Sequence, residues 1–418
     1  MSSLKLSLRN LLRNRWRSGL TLAAVAVAVG LMTWTLSFYE GWLQAMIRGA
    51  TAVETAQVQI HMASYVDQPR VYRSFTLDPA TVERIRNAFE VRALSPRVEL
   101  FGLVGNEERS QVGRILGVDP ALESRTTPIV DAVTRGRWLS EDPPGYPAPR
   151  EVVLGSGVAQ QLRVEPGAEL VTFLEAADGS LGNELLRVVG VARTGNTAVD
   201  RNTVYIHLDD AQLLGALGEE IHEVAIRTAD LTTARRTADE VARVIEGQDA
   251  LVVRSWQAIM PGIDQMVVLF RRSYWILYLL VYLLAAAGIV NTQRMSALER
   301  RREFGVMVAV GMRPRRLLGT LTVETTVLGV LGALVGSSFG SALAWYHSTR
   351  GFDMGLLADQ ATFSYMGVAF SERLYFVLTP THVVQPILVM AFVAMLSGLW
   401  PAYQAFRIDP APTIAGRT

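Results

Sequence analysis

Four long apolar stretches constrain this chain before anything else does. Gly19 to Tyr39 runs for 21 positions without a charge. As a helix rising ~1.5 Å per residue, it is long enough for the ~30 Å hydrocarbon core of a bilayer. Ser273 to Gln293, Leu317 to Trp345 and Val383 to Trp400 are three more, the third holding Glu324 and the fourth closing at Pro401. Lipid offers no partner to a bare backbone N–H or C=O, so these stretches read as helices. The first is too long for a signal-peptide core, and Leu36 to Trp42 offers no small-x-small cleavage site, so it reads as a retained anchor.

Arginine placement orients them. The amino-terminal tail carries Lys5, Arg9, Arg13, Arg15 and Arg17 and no acid; with the Thr292–Arg316 loop and the carboxyl tail, that side holds 14 basic and 3 acidic residues. The segment from Glu40 to Arg272 holds 24 basic and 32 acidic residues. Basic short loops stay in the cytoplasm, so both termini are expected there. The expected fold is an α-helical membrane protein of four transmembrane helices, with a large α+β extracytoplasmic domain inserted between the first two. Its divisions are a cytoplasmic amphipathic helix (1–18), helix one (19–41), the outside domain (42–270) and helix two (271–293). A cytoplasmic loop (294–316), helix three (317–345), a second outside segment (346–382), helix four (383–401) and a cytoplasmic tail (402–418) complete the chain. In the amino-terminal tail Leu4, Leu8, Leu11 and Leu12 share one helical face and Lys5, Arg9 and Arg13 another, the pattern of a helix lying on an anionic leaflet.

Short apolar or alternating runs in the outside domain read as strands: Ala56–His61, Glu151–Leu154, Glu169–Phe173, Leu185–Val191, Thr203–Ile206 and Glu223–Ile226. Pro79–Glu90 and Thr232–Gln248 carry helical periodicity, and the proline-rich loop Pro143–Pro149 marks a seam between two lobes.

Composition removes most chemistry. There is no cysteine, hence no disulfide, thiolate metal site or cysteine nucleophile. Lys5 is the only lysine and lies in Leu4-Lys5-Leu6, so the Gly-Lys-Ser/Thr of a phosphate-binding loop is missing. Gly336-Ser337-Ser338-Phe339-Gly340 has the spacing of a nucleophile elbow but lies inside an apolar span, and Gly155-Ser156-Gly157 reads as a tight turn. The five histidines show no ligand spacing. No catalytic residue, metal or cofactor is expected in the chain itself, and a net charge of +1 gives no reason to expect nucleic acid.

Other patterns are informative. Gly332, Gly336 and Gly340, with Gly329 nearby, line one face of the third span, where small residues let helix backbones approach in lipid. This face serves either packing within the chain or a subunit contact. Glu324 in that span is either a functional charge or one reaching the interface. Trp34, Phe38, Trp42 and Met46 step by four out of the first span, and Met266, Phe270, Tyr274, Tyr278 and Tyr282 step by four into the second. They form either an interfacial aromatic belt or the wall of a groove for lipid or lipoprotein acyl chains. In the middle loop, Met295 to Gly305 reads as a short charged helix. Glu299 and Glu303 lie one turn apart, mildly repelling, a conflict that points to an external partner.

At this loop the chain resembles the FtsX-like permease family of ABC transporters. The family pattern Glu-Arg-x-x-Glu-Ile-Gly followed by Ala-x-Gly is met by Glu299-Arg300-Arg301-Arg302-Glu303-Phe304-Gly305 and Ala309-Val310-Gly311, with Phe304 at the isoleucine position. Leu8 to Asn14, the glycine-rich third span, Pro401-Ala402 with Arg407-Ile408-Asp409-Pro410, and the Glu151–Val191 region are also similar to family members. The resemblance implies a dimeric permease in a bacterial inner membrane, paired with a second copy or a paralogue. Cytoplasmic ATPase subunits would bind ATP and Mg²⁺ and dock on Glu299 through Gly305 as a coupling helix. The layout is most similar to permeases that release lipoproteins, whose partners are lipoprotein cargo and a periplasmic chaperone. Two other readings fit: an efflux permease gripping a periplasmic adaptor, and a membrane-anchored sensor of a periplasmic ligand.

Overall fold

The computed structural model describes residues 15–51, 55–66, 68–142, 145, 147–248, 250–300, 303–304, 306–307, 310, 312–356, 364–365, 368–369 and 373–406. Residues 1–14 of the amphipathic tail, Pro143, Pro144 and Tyr146 of the proline-rich loop and the tail beyond 406 lie outside them. In chain order the elements are α1 (Arg15–Thr51), β1 (Val58–Met62), α2 (Pro79–Arg86), β2 (Val91–Gly105), β3 (Ser110–Val118), α3 (Pro120–Thr126), β4 (Val133–Gly136) and β5 (Arg150–Gly155). Then come α4 (Ser156–Leu162), β6 (Glu169–Glu175), β7 (Leu181–Ala192), α5 (Thr197–Asn202), β8 (Thr203–His207), α6 (Leu208–Leu214), β9 (Glu223–Thr228), α7 (Ala234–Val244), β10 (Leu251–Ser255) and α8 (Trp256–Ile259). Last are α9 (Pro261–Glu299), α10 (Pro314–Arg350), β11 (Phe352–Asp353), β12 (Ser364–Tyr365), β13 (Val368–Ala369), β14 (Arg373–Leu374) and α11 (Pro380–Phe406). They form two compact units, one of the long helices and one of residues 44–267 with 355–372.

The four long helices α1, α9, α10 and α11 contain the four apolar spans but run beyond them, to 37, 39, 37 and 27 residues. Apolar length reports only what lies in lipid, whereas the hydrogen-bond ladder continues until something stops it. Proline opens α9, α10 and α11, where its missing N–H costs nothing. Gly351 ends α10 at φ +75°, a conformation open to glycine. α10 thus runs past Trp345 to Arg350, and α11 opens at Pro380, ahead of Val383.

The glycine face of α10 is consumed within the chain. A β-carbon on Gly336 or Gly340 would run into the backbone of Ala26 or Gly30 of α1; one on Gly332 would stand 2.8 Å from Val25 Cγ1, and one on Gly329 would meet Ala394 of α11. Val25, Val29 and Met32 of α1, Tyr282 and Ile289 of α9, Ala333 of α10, and Met390 and Ala394 of α11 share one buried core. Gly336→Leu is therefore expected to destabilise the helical unit by at least ~1–3 kcal/mol through overpacking. Gly288→Leu, where a side chain meets only open space, is the matched control. Thermal unfolding in detergent compares the two.

The large domain is one ten-stranded sheet, ordered β10-β1-β9-β2-β3-β8-β5-β7-β4, with β6 bridging β2 and β7. The pairings β2-β3-β8-β5-β7-β6-β2 return to their start, so six strands close on themselves. Local signals place the short helices: Asp78 before Pro79 and Asp119 before Pro120 each cap their helix by accepting backbone N–H bonds. The proline-rich loop is not a seam between lobes. The strands on either side of it, β4 and β5, both pair with β7 and so belong to the same region of the sheet.

Inside the domain, fully buried Arg97 on β2 donates from Nη2 and Nε to Glu123 at 2.7 and 3.1 Å and from Nη1 to Glu223 at 2.9 Å. Two carboxylates thus share one guanidinium. Burial would raise Glu123, but Arg97 and the Thr127 hydroxyl outweigh it and hold its pKa low. Burial pushes Glu223 up from 4.5 to about 7, Arg97 opposing only in part. Between those two values the folded chain holds a proton that the unfolded chain has released, so stability falls as pH rises from about 4.5 to about 7. Glu223→Gln is expected to flatten that decline; melting temperature against pH is the measurement.

Candidate functional site

The arginine-rich segment is held against α10 at two described points. Just past α9, the Arg300 N–H donates to Ser296 O at 3.1 Å and the Phe304 N–H to Arg300 O at 3.0 Å. Phe304 is buried with Leu317 and Leu321 of α10, and Ala297, Met307, Met312 and Leu318 pack around them. Arg300 donates from Nη1 to both carboxylate oxygens of Glu324 at 3.4 Å and from Nε to Glu303 at 3.3 Å. Its guanidinium lies 5.2 Å from the centre of the Phe304 ring.

Glu324, the acid inside the third apolar stretch, therefore has a cationic partner from the arginine-rich segment. α9 ends at Glu299, and residues 303–304 and 306–307 of the segment are again helical. Glu299 is exposed at the end of α9. Arg301, Arg302 and Gly305 lie outside the described residues.

The aromatic stripes at the other end divide differently from a single wall. Trp34 and Phe38 of α1 gather around Phe376, at 5.3 and 5.4 Å between ring centres, with Phe352 and His347 completing the cluster. The helix face one residue on meets α9: Tyr39 lies 5.0 Å from Tyr274 and Trp42 stands edge-on 4.9 Å from Phe270. Arg271 donates to Glu40 beside them at 3.3 Å. Tyr278 stacks on buried Tyr282, whose hydroxyl donates to Pro386 O of α11 at 3.4 Å. Met46 and Met266 belong to the other unit, Met46 buried and Met266 half-buried.

An apolar groove of about 660 Å³ opens instead between α1 and α10, floored by Ala26, Gly30, Gly336 and Gly340 with Trp34 and Phe339 on its walls. The glycine spacing was the signal for this approach, but it could not name α1 as the facing helix. Ser338 bonds to its own helix at Leu334 O, 2.8 Å away, so the apparent elbow is plain α-helix. Gly155 ends β5 and Ser156 opens the seven-residue α4. Among the described residues no three His, Asp or Glu side chains converge as a metal site would require.

Two family models match this chain. The FtsX-like permease C-terminal domain matches residues 275–410, spanning α9, the arginine-rich segment, α10 and α11. The MacB-like periplasmic core domain matches residues 18–244, more than half of the chain. The chain belongs to the FtsX-like permease family of ABC transporters. It is 25% identical over 343 residues to the lipoprotein-releasing system transmembrane protein LolC of Neisseria meningitidis serogroup B, covering 80% of this chain and 79% of that one. It is 22% identical to LolE of Haemophilus influenzae, covering 94% of this chain and 92% of that one. The probable export ATP-binding/permease protein MacB of Pseudomonas entomophila is 21% identical over 97% of this chain, which spans 57% of that longer protein. For an FtsX-like permease, the four membrane helices and the large extracellular domain are thus the permease body itself.

Proposed function

We propose that this permease sits in a bacterial inner membrane with both termini cytoplasmic and passes ATP-driven motion of a separate ATPase dimer to its extracellular domain. Its cargo is lipoprotein, extracted from the inner membrane for transfer towards the outer membrane. The anchoring of the arginine-rich segment carries this reading. Phe304 and Arg300 fasten it to α10 by packing and by charge, so a push on its exposed side moves the third membrane helix too. ATP and Mg²⁺ belong to the ATPase. The lipoprotein reading is supported by LolC and LolE, which match over most of their own lengths. The MacB relative favours a second reading, efflux through a periplasmic adaptor.

Glu303→Arg tests the coupling. With the ATPase bound, hydrolysis continues while cargo release falls; unchanged release removes the assignment. Purification from native membranes separates the two cargoes. Acylated lipoproteins travelling with the permease and its ATPase support release, whereas an adaptor without lipoprotein supports efflux.

A further inference from the structure

The end of α4 carries an arginine where the backbone favours glycine. Arg163 closes the helix at φ +56° and ψ +47°, the left-handed region that an L side chain enters at a cost and glycine enters freely. The turn itself is well made, with the Val164 N–H donating to Ala159 O at 3.0 Å and the Arg163 N–H to Gln160 O at 3.3 Å. The side chain returns nothing to the fold. It is exposed, and among the described residues its guanidinium has no acid or other hydrogen-bond partner. Strain kept at a position that gains no contact points to function rather than stability.

Arg163 lines a polar pocket of about 640 Å³ together with Arg135, Arg193, Ser156 and Gln160. Arg193 likewise has no side-chain partner among the described residues, and it too is open to water. Arg135 pairs with Glu165, the acid on the pocket wall. Three guanidinium groups against that one carboxylate leave a surplus of two positive charges in a single concavity. The sheet sets the walls. Arg193 follows β7, and its N–H donates to Ala132 O at 2.7 Å, while the hydroxyl of Thr134 on β4 donates to Val191 O at 3.2 Å. Two of the cations are thus held by the pairing of β4 with β7 and the third by the close of α4.

We propose that this pocket of the extracellular domain binds a phosphate group, carried by a free phosphoester or by a lipid headgroup. A guanidinium presents paired N–H donors that match phosphate oxygens two at a time. Charge selects the class. A phosphomonoester carries about −1.5 to −2 at neutral pH, which the surplus neutralises, whereas a single carboxylate would leave about half of it unmet. The inference depends on neither the cargo nor the coupling to an ATPase.

Arg163→Gly separates binding from folding, because it removes the cation and the backbone strain together. The full-length chain in detergent at low salt is titrated calorimetrically with inorganic phosphate and, separately, with dioctanoyl phosphatidic acid, and its melting temperature is recorded. The expected result is a single site per chain whose affinity falls roughly tenfold or more in Arg163→Gly and in Arg193→Gln. Without ligand, Arg163→Gly should melt at or above the unaltered chain. Phosphatidic acid binding far more tightly than inorganic phosphate, with the same dependence on both arginines, identifies a lipid headgroup as the source; comparable affinity with that dependence identifies a free phosphoester. No binding of either probe, or an affinity that neither substitution changes, overturns the proposal.

Discussion

Arg300→Glu is expected to lower transport while ATP hydrolysis continues. The substituted carboxylate would face Glu324 across the gap the guanidinium now bridges, and Glu303 lies one turn away. Repulsion would loosen the segment from α10 at one of its two anchors while Phe304 keeps the other. Coupling between distant sites is worth ~1–3 kcal/mol, so a loss of roughly 5- to 150-fold in transport per ATP hydrolysed is the scale to expect. The exchange Arg300→Glu with Glu324→Arg should recover much of that loss, since the opposite charges still meet, whereas Glu324→Gln alone should fall between. Transport and hydrolysis measured on the same reconstituted samples decide it. If the exchange is as poor as the single reversal, the ion pair is not the link.

Arg97→Met is expected to produce the largest loss of stability in the extracellular domain. It leaves Glu123 and Glu223 buried without their shared cation. Removing one partner from a buried ionic group costs ~3–5 kcal/mol, whereas replacing the whole group with apolar side chains is often neutral. Arg97→Met with Glu123→Leu and Glu223→Leu should therefore regain most of what the single change loses. Denaturant unfolding of the full chain measures both. The single variant should also suffer less in acid, where both carboxylates take up protons.

The membrane part of this fold was legible because lipid imposes a crude rule, about 20 apolar residues per crossing, and the chain obeys it four times. Strands with plain alternation, such as β6, were legible for a similar reason. β2 was not, although at 15 residues it is the longest strand. Its middle reads Ser95-Pro96-Arg97-Val98-Glu99, which has no strand-like periodicity until Arg97 finds Glu123 and Glu223, 26 and 126 residues away. The Pro143–Pro149 loop misled in the opposite sense, because local stiffness says nothing about whether its two flanking strands share a neighbour. At the candidate site the residue types and their spacing were readable. The choice of Glu324 as partner to Arg300, and of Ala26 and Gly30 to receive the α10 glycines, was not. Those pairings exist only once helices far apart in sequence pack.

β2 has a mechanical consequence. Its first half pairs with β9 and its second half with β3 and β6, so one unbroken strand of roughly 50 Å is stitched into both the open end of the sheet and the closed ring. A load along that strand pulls its ladder hydrogen bonds in shear, sharing force among many bonds, instead of peeling them apart singly. Bending the sheet across β2 would have to break those shared ladders, so β2 is no natural hinge axis.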